Sequence, residues 1–151
     1  LCGRGGKACR CSEPELARHR QRLSGPLLDR VDLVVGVERP SSAALEADPL
    51  TTTEEVAARV AAARELQLAR CGCANAQLVA RDMISAVECG AAAARALARA
   101  YDSGGLSARG RDRALRVART IADLGGGGEI GIDALAQALG YRHESERLGS
   151  R

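Results

Sequence analysis

The chain has 151 residues and a formal net charge of +3, from 22 Lys and Arg against 19 Asp and Glu. That is room for one ordinary domain or two small ones, and a balance too mild to argue for nucleic-acid binding by itself. With no Phe, no Trp and only Tyr101 and Tyr141 as aromatics, any core is built from Ala, Leu, Val and Ile, which favours closely packed helices over a β-sandwich.

Residues 1–12 are rich in Gly, Cys and Arg and read as irregular. A short helix is expected over 13–22, with Ser12 as N-cap and Pro14 in its first turn. Residues 22–33 (RLSGPLLDRVDL) then combine a Gly-Pro turn, a Leu-Leu pair and an Asp-Arg dipeptide. They read as a helical turn that delivers Arg30 to a surface. Residues 31–38 (VDLVVGVE) alternate little and predict a strand buried on both faces of a sheet. A lone strand leaves its edges unpaired, so the sheet is expected elsewhere and the chain reads as a fragment beginning mid-motif at Leu1.

Residues 39–51 hold two of the four prolines and read as a linker. Thr52-x-x-Glu55 is a capping box. Behind it Val56, Val60, Ala63 and Leu66 recur at helical spacing through Arg70, with Gly72 as C-cap. Further helices are expected at 76–88, 91–101 and 107–123, and a shorter one near 132–139. Gly90, Gly104-Gly105 and the run Gly125 to Gly128 punctuate them. The fold class is therefore mainly α: a bundle of four or five short helices over 52–143, preceded by one helix and one strand of an α/β domain over 1–38. Residues 144–151 form a polar, frayed tail.

No apolar run reaches bilayer-spanning length, and Leu1 opens no n-region or h-region of a signal peptide. A reducing, cytoplasmic setting follows, where the six cysteines serve as metal ligands or plain thiols sooner than disulfides. Cys2, Cys9 and Cys11 offer three zinc ligands on a glycine-rich loop, one short of a tetrahedral set; His19 is a fourth donor but sits on the expected helix. Three free thiols explain the same residues. Cys71, Cys73 and Cys89 read as small hydrophobes. Gly3 to Ala8 imitates a phosphate loop, yet Leu1 stands at the first glycine position and Ala8 offers no hydroxyl to magnesium. With no Walker A or Walker B pattern, these residues alone should not hydrolyse ATP.

Two arginine sets remain. Arg30 fits a phosphate-directed role, because a guanidinium fork matches phosphoryl oxygens; it also fits a surface pair with Asp29 or Asp32. In 106–124 (LSARGRDRALRVARTIADL), Ala114, Leu115, Ala118, Ile121 and Ala122 share one helix face. Arg109, Arg113 and Arg116 stack on the other, either as a solvated stripe or as an anion contact. Lys7 is the single lysine among the 22 basic residues. That bias suits bidentate phosphate contacts, and a GC-rich coding sequence would produce it too.

Residues 22–33 resemble the arginine-finger segment of magnesium-chelatase-like AAA+ ATPases of the ComM type, and 106–124 resemble their sensor 2 helix. Cys2-Gly3 and Cys9-x-Cys11 match that family's Cys-Pro-Cys-Gly and Cys-x-Cys pieces, with Leu1 at its usual Pro. Residues 130–142 (IGIDALAQALGYR) match its closing signature, so the likeness covers roughly 1–143. The resemblance implies the end of an ATPase core plus a helical lid in a homohexameric ring that uses ATP with Mg and acts as a DNA motor. It implies Arg30 as the finger acting in the neighbouring subunit, with Arg22 as a second trans-acting candidate. Arg116 is the first choice and Arg113 the second as sensor 2, and Cys2, Cys9 and Cys11 would belong to a zinc site. Two other readings are carried: the ATPase subunit of a chelatase inserting magnesium into a porphyrin, and a non-enzymatic helical DNA-binding module suggested by LAQALGYR. Against the last, residues 132–143 lack a basic recognition helix and the chain lacks aromatic stacking platforms.

Overall fold

The computed structural model describes residues 10–21, 30–37 and 39–149. Its helices are α1 (Glu13–Gln21), α2 (Ser42–Glu46), α3 (Thr53–Cys71), α4 (Ala80–Ala86), α5 (Ala91–Asp102), α6 (Ala108–Leu124) and α7 (Ile132–Gly149), with a 3-10 turn at Asn75–Gln77 between α3 and α4. The chain divides into two compact units, Leu1–Val35 with Tyr141–Arg151, and Gly36–Gly140.

In the first unit, α1 begins where expected. The Ser12 backbone N–H and hydroxyl both donate to the Glu15 carboxylate at 2.8 Å, and these bonds hold that carboxyl below its ordinary pKa. The strand expected at 31–38 does not form among the described residues: 31–37 carry no strand, and Val31, Leu33, Val35 and Val37 are exposed. The physical reason is the one that made a lone strand suspect. No described strand supplies a ladder, and among the described residues the segment's backbone makes one bond, Val34 N–H to Tyr141 C=O at 3.3 Å. The fold class stays mainly α without that strand.

The second unit is helical where its caps act, but the apolar stripe expected on α3 is covered only in its second half. Ala63 is buried and Leu66 half-buried, whereas Val56 and Val60 are exposed because no described element packs over the first turns. Thr52 Oγ1 accepts from Glu55 N–H at 3.3 Å while the Glu55 carboxylate accepts from Thr52 N–H at 2.9 Å, so the predicted box starts α3. Gly72 ends it at φ 66°, a left-handed cap only glycine adopts freely, and its N–H returns to Leu68 C=O at 2.8 Å. The expected linker contains a short helix, α2, capped by Ser41. The expected helix at 76–88 is divided: Asn75–Gln77 is a 3-10 turn and α4 starts only at Ala80. The break lies at Leu78 and Val79, whose backbones are extended (ψ 124° and 161°), with Leu78 buried in the core, while the buried Asn75 N–H is held by Gln67 Oε1 at 3.1 Å. The last helix does not stop near 139; its backbone stays helical through Gly149, across the expected tail.

The core joins Leu78 and Met83 with Ala86, Ala93 and Leu97 of α4 and α5, Leu115 and Ala118 of α6, and Ile130, Leu135 and Ala138 around the start of α7. Ile130 and Leu135 are fully buried, and a side chain of that size contributes about 1.5–3 kcal/mol when removed from water. The segments entering α5 and α7 are stitched by one parallel rung between Cys89 and Ile130, with Ile130 N–H to Glu88 C=O at 2.7 Å and Gly90 N–H to Ile130 C=O at 3.1 Å. After α6 the chain turns through Gly126, Gly127 and Gly128, all at positive φ, a path closed to side chains without strain.

Candidate functional site

Helix α6 carries both arginine populations of the second unit. Ser107 Oγ accepts from Gly110 N–H at 3.0 Å and fixes its first turn. Its apolar face lands as the periodicity requires: Ala114, Leu115 and Ala118 are buried, Ile121 and Ala122 half-buried. The basic face is less uniform than expected. Arg109 is exposed, whereas Arg113 and Arg116 are half-buried. The Nε of Arg116 is buried and has no hydrogen-bond partner among the described residues. A donor in that state is primed for an acceptor.

One turn further, Arg119 and Asp123 are 1% and 2% exposed. Arg119 Nε donates to Asp123 Oδ1 at 3.1 Å and its Nη2 lies 3.0 Å from the same oxygen. Arg70, from the last turn of α3, forms a short bidentate contact with both Asp123 oxygens. Asn75 Nδ2 donates to Asp123 Oδ2 at 2.8 Å and to Thr120 Oγ1 at 3.1 Å. Thr120 Oγ1 in turn donates to Arg116 C=O at 2.9 Å. Burial pulls the Arg119 guanidinium down from its ordinary pKa, and Asp123 opposes that shift. This clasp ties α3, the 3-10 turn and α6 together, and the sequence reading missed it. One signal was available: an acidic residue in the last turn of a helix opposes the macrodipole, so Asp123 needed a local cation.

Beside α6, a cavity of about 440 Å³ is lined by Met83, Val87, Leu97 and Leu115, with Arg111 and Asp112 at its polar side. Cys89 also lines it, and burial raises its thiol pKa, with Glu129 adding to the shift and Arg111 opposing it.

Arg30 is exposed at a turn of the first unit. Arg22 and residues 23–29 lie outside the described residues, as do Cys2 and Cys9. Cys11 is half-buried, and among the described residues no group of three or more His, Cys, Asp or Glu is arranged to hold a metal. No helix among them is long and apolar enough to cross a membrane.

Residues 50–142 match the family described as magnesium chelatase, subunit ChlI C-terminal, and residues 1–45 match magnesium chelatase, subunit ChlI. The chain is 40% identical over 143 residues to an uncharacterised protein of Mycobacterium tuberculosis, covering 92% of this chain and 28% of that protein. It is 38% identical over 135 residues to competence protein ComM of Haemophilus influenzae (88% and 26%). It is 35% identical over 139 residues to YifB of Escherichia coli (91% and 28%). The chain thus spans little more than a quarter of the length of these relatives.

Proposed function

This chain belongs to the magnesium chelatase subunit ChlI C-terminal family, alongside ComM and YifB, and from that premise we propose that it is the lid-bearing part of a ring-forming AAA+ ATPase. Residues 52–143 act as the lid, 1–38 as the end of the nucleotide-binding core, and 39–51 as the linker between them. The whole protein binds ATP with Mg in the cytoplasm and works as a homohexameric DNA motor.

Arg30 is the finger that reaches the γ-phosphoryl group held by a neighbouring subunit. Its exposure supports that role. Arg116 contacts nucleotide phosphates in cis as sensor 2, followed by Arg113, and the exposed Arg109 joins the same face. The observation that carries the assignment is the buried Arg116 Nε without a protein acceptor. A phosphate oxygen would satisfy it with a charge-assisted bond. The zinc reading of Cys2, Cys9 and Cys11 rests on cysteine spacing and the half-burial of Cys11.

The test uses the full-length protein. Arg30→Ala should lower ATP turnover on the order of 10³-fold or more while ATP binding is retained, and Arg116→Ala should weaken nucleotide binding or lid closure. Wild-type turnover in Arg30→Ala would remove the finger assignment. The ChlI match keeps a second client in view, a metal chelatase partner. Stimulation of hydrolysis by DNA supports the motor; stimulation by a chelatase partner alone supports the other.

A further inference from the structure

The clasp does not end at Asp123. We propose that Asn75 and Thr120 are positioning residues for Arg116, forming a directed hydrogen-bond chain that sets where the third turn of α6 presents that arginine. The proposal rests on the sensor reading of Arg116 given above.

The direction of the chain follows from donor counting. Both Nδ2 hydrogens of Asn75 are committed, one to Asp123 Oδ2 and one to Thr120 Oγ1. Flipping the amide would turn its carbonyl oxygen toward the Asp123 carboxylate, so the orientation is fixed by charge. Thr120 Oγ1 therefore accepts from Asn75, and its single hydrogen is left for Arg116 C=O at 2.9 Å. That carbonyl has a second lone pair beyond its helical bond, and a side-chain bond to the i−4 carbonyl bends a helix locally. Successive bonds of one polarity strengthen each other in a buried setting.

The chain is anchored on another element. Asn75 N–H is held by Gln67 Oε1 of α3 at 3.1 Å, and Gln67 and Asn75 are both buried. Apolar packing alone would locate α6 on α3 poorly, because the buried apolar residue of α3 is Ala63 and alanines make shallow ridges. A polar chain ending on the Arg116 backbone fixes the register at the residue whose guanidinium needs it. Thr120 never touches nucleotide in this scheme; it acts through Arg116.

The experiment compares Thr120→Val, Thr120→Ser, Arg116→Ala and the Thr120→Val/Arg116→Ala double variant in the full-length protein, with Mg-ATP as the probe. Thr120→Val should raise KM for ATP by roughly tenfold with kcat less affected and thermal midpoint little changed. Thr120→Ser should restore KM, and Thr120→Val should add nothing to Arg116→Ala. If Thr120→Val fails to fold, Gln67→Met, which removes the anchor on Asn75, should give the same KM shift. A wild-type KM in Thr120→Val, or full additivity with Arg116→Ala, overturns the proposal while an effect of Arg116→Ala leaves the sensor reading intact. A wild-type KM in Arg116→Ala overturns the sensor reading itself, and the positioning role with it.

Discussion

The two halves of α6 use the same residue type in opposite ways. Toward the N-terminus Arg109 is exposed and Arg113 and Arg116 are half-buried; toward the C-terminus Arg119 is almost completely buried. Helical spacing does not separate them, since all four belong to one continuous 17-residue helix. What separates them is what a second element brings. The end of α3 and the 3-10 turn deliver Arg70 and Asn75 onto Asp123, and Asp123 in turn makes Arg119 tolerable in the interior. Near Arg116 Nε no acceptor arrives among the described residues. Arg119 is structural because a carboxylate has been buried with it, whereas Arg116 keeps a buried Nε that no acceptor among the described residues reaches.

That contrast is broken most severely at Asp123. Asp123→Ala leaves Arg119 buried without its carboxylate and strips Arg70 of its partner, so a loss of about 3–5 kcal/mol is expected, read from the shift in chemical-denaturation midpoint. A loss below about 1 kcal/mol would mean the clasp is worth no more than a surface pair. Arg70→Ala is the milder cut. The Arg70 side chain is 24% exposed, and Asp123 keeps both Arg119 and Asn75. A loss of about 1–2 kcal/mol is expected, discounted for that exposure. If Arg70→Ala proved as damaging as Asp123→Ala, Arg70 and not Arg119 would be the essential cation of the clasp.

Local signals in the sequence carry through to the structure. The Thr52–Glu55 box, the Gly72 cap and the apolar face of α6 each depend on residues within one or two turns, and each stands as expected. Features that depend on distant partners were not legible. The strand expected at 31–38 rests on apolar residues whose pairing partner is absent from the described residues, and 31–37 are not a strand. The helix expected at 76–88 is divided at the extended Leu78 and Val79, where Leu78 joins a core shared with Leu97, Leu115 and Ile130. The Arg70–Asp123 contact spans 53 positions, beyond any periodic pattern. For the candidate site, the stripe of Arg109, Arg113 and Arg116 was visible as a pattern, but the burial of Arg116 Nε required the fold.

Gly127→Ala tests the joint that follows the clasp. Its φ of 95° is strained for any side chain, and the added Cβ would stand 3.4 Å from Leu66 Cδ1, an ordinary contact. The backbone term therefore decides, and about 1–2 kcal/mol of destabilisation is expected, measured by thermal or chemical denaturation. A neutral result would show that the run Gly125 to Gly128 relaxes without disturbing α6, and that the clasp alone holds the end of that helix.

The smallest stability effect is expected at Arg109. It occupies the second position of α6, where a cation faces the positive end of the macrodipole and costs a helix about 0.3–1 kcal/mol. Alanine is also the better helix former. Arg109→Ala should therefore leave stability within about 0.5 kcal/mol of wild type, or raise it slightly. In the full-length protein the same substitution should still weaken ATP binding, because an exposed guanidinium that the helix itself disfavours is best accounted for by an anion outside the helix. Denaturation and nucleotide titration of this one variant separate the two uses of arginine. Lost stability would place Arg109 with Arg119, unchanged stability with weaker ATP binding would place it with Arg116, and no change in either would leave the basic face of α6 a solvated surface at its N-terminal end.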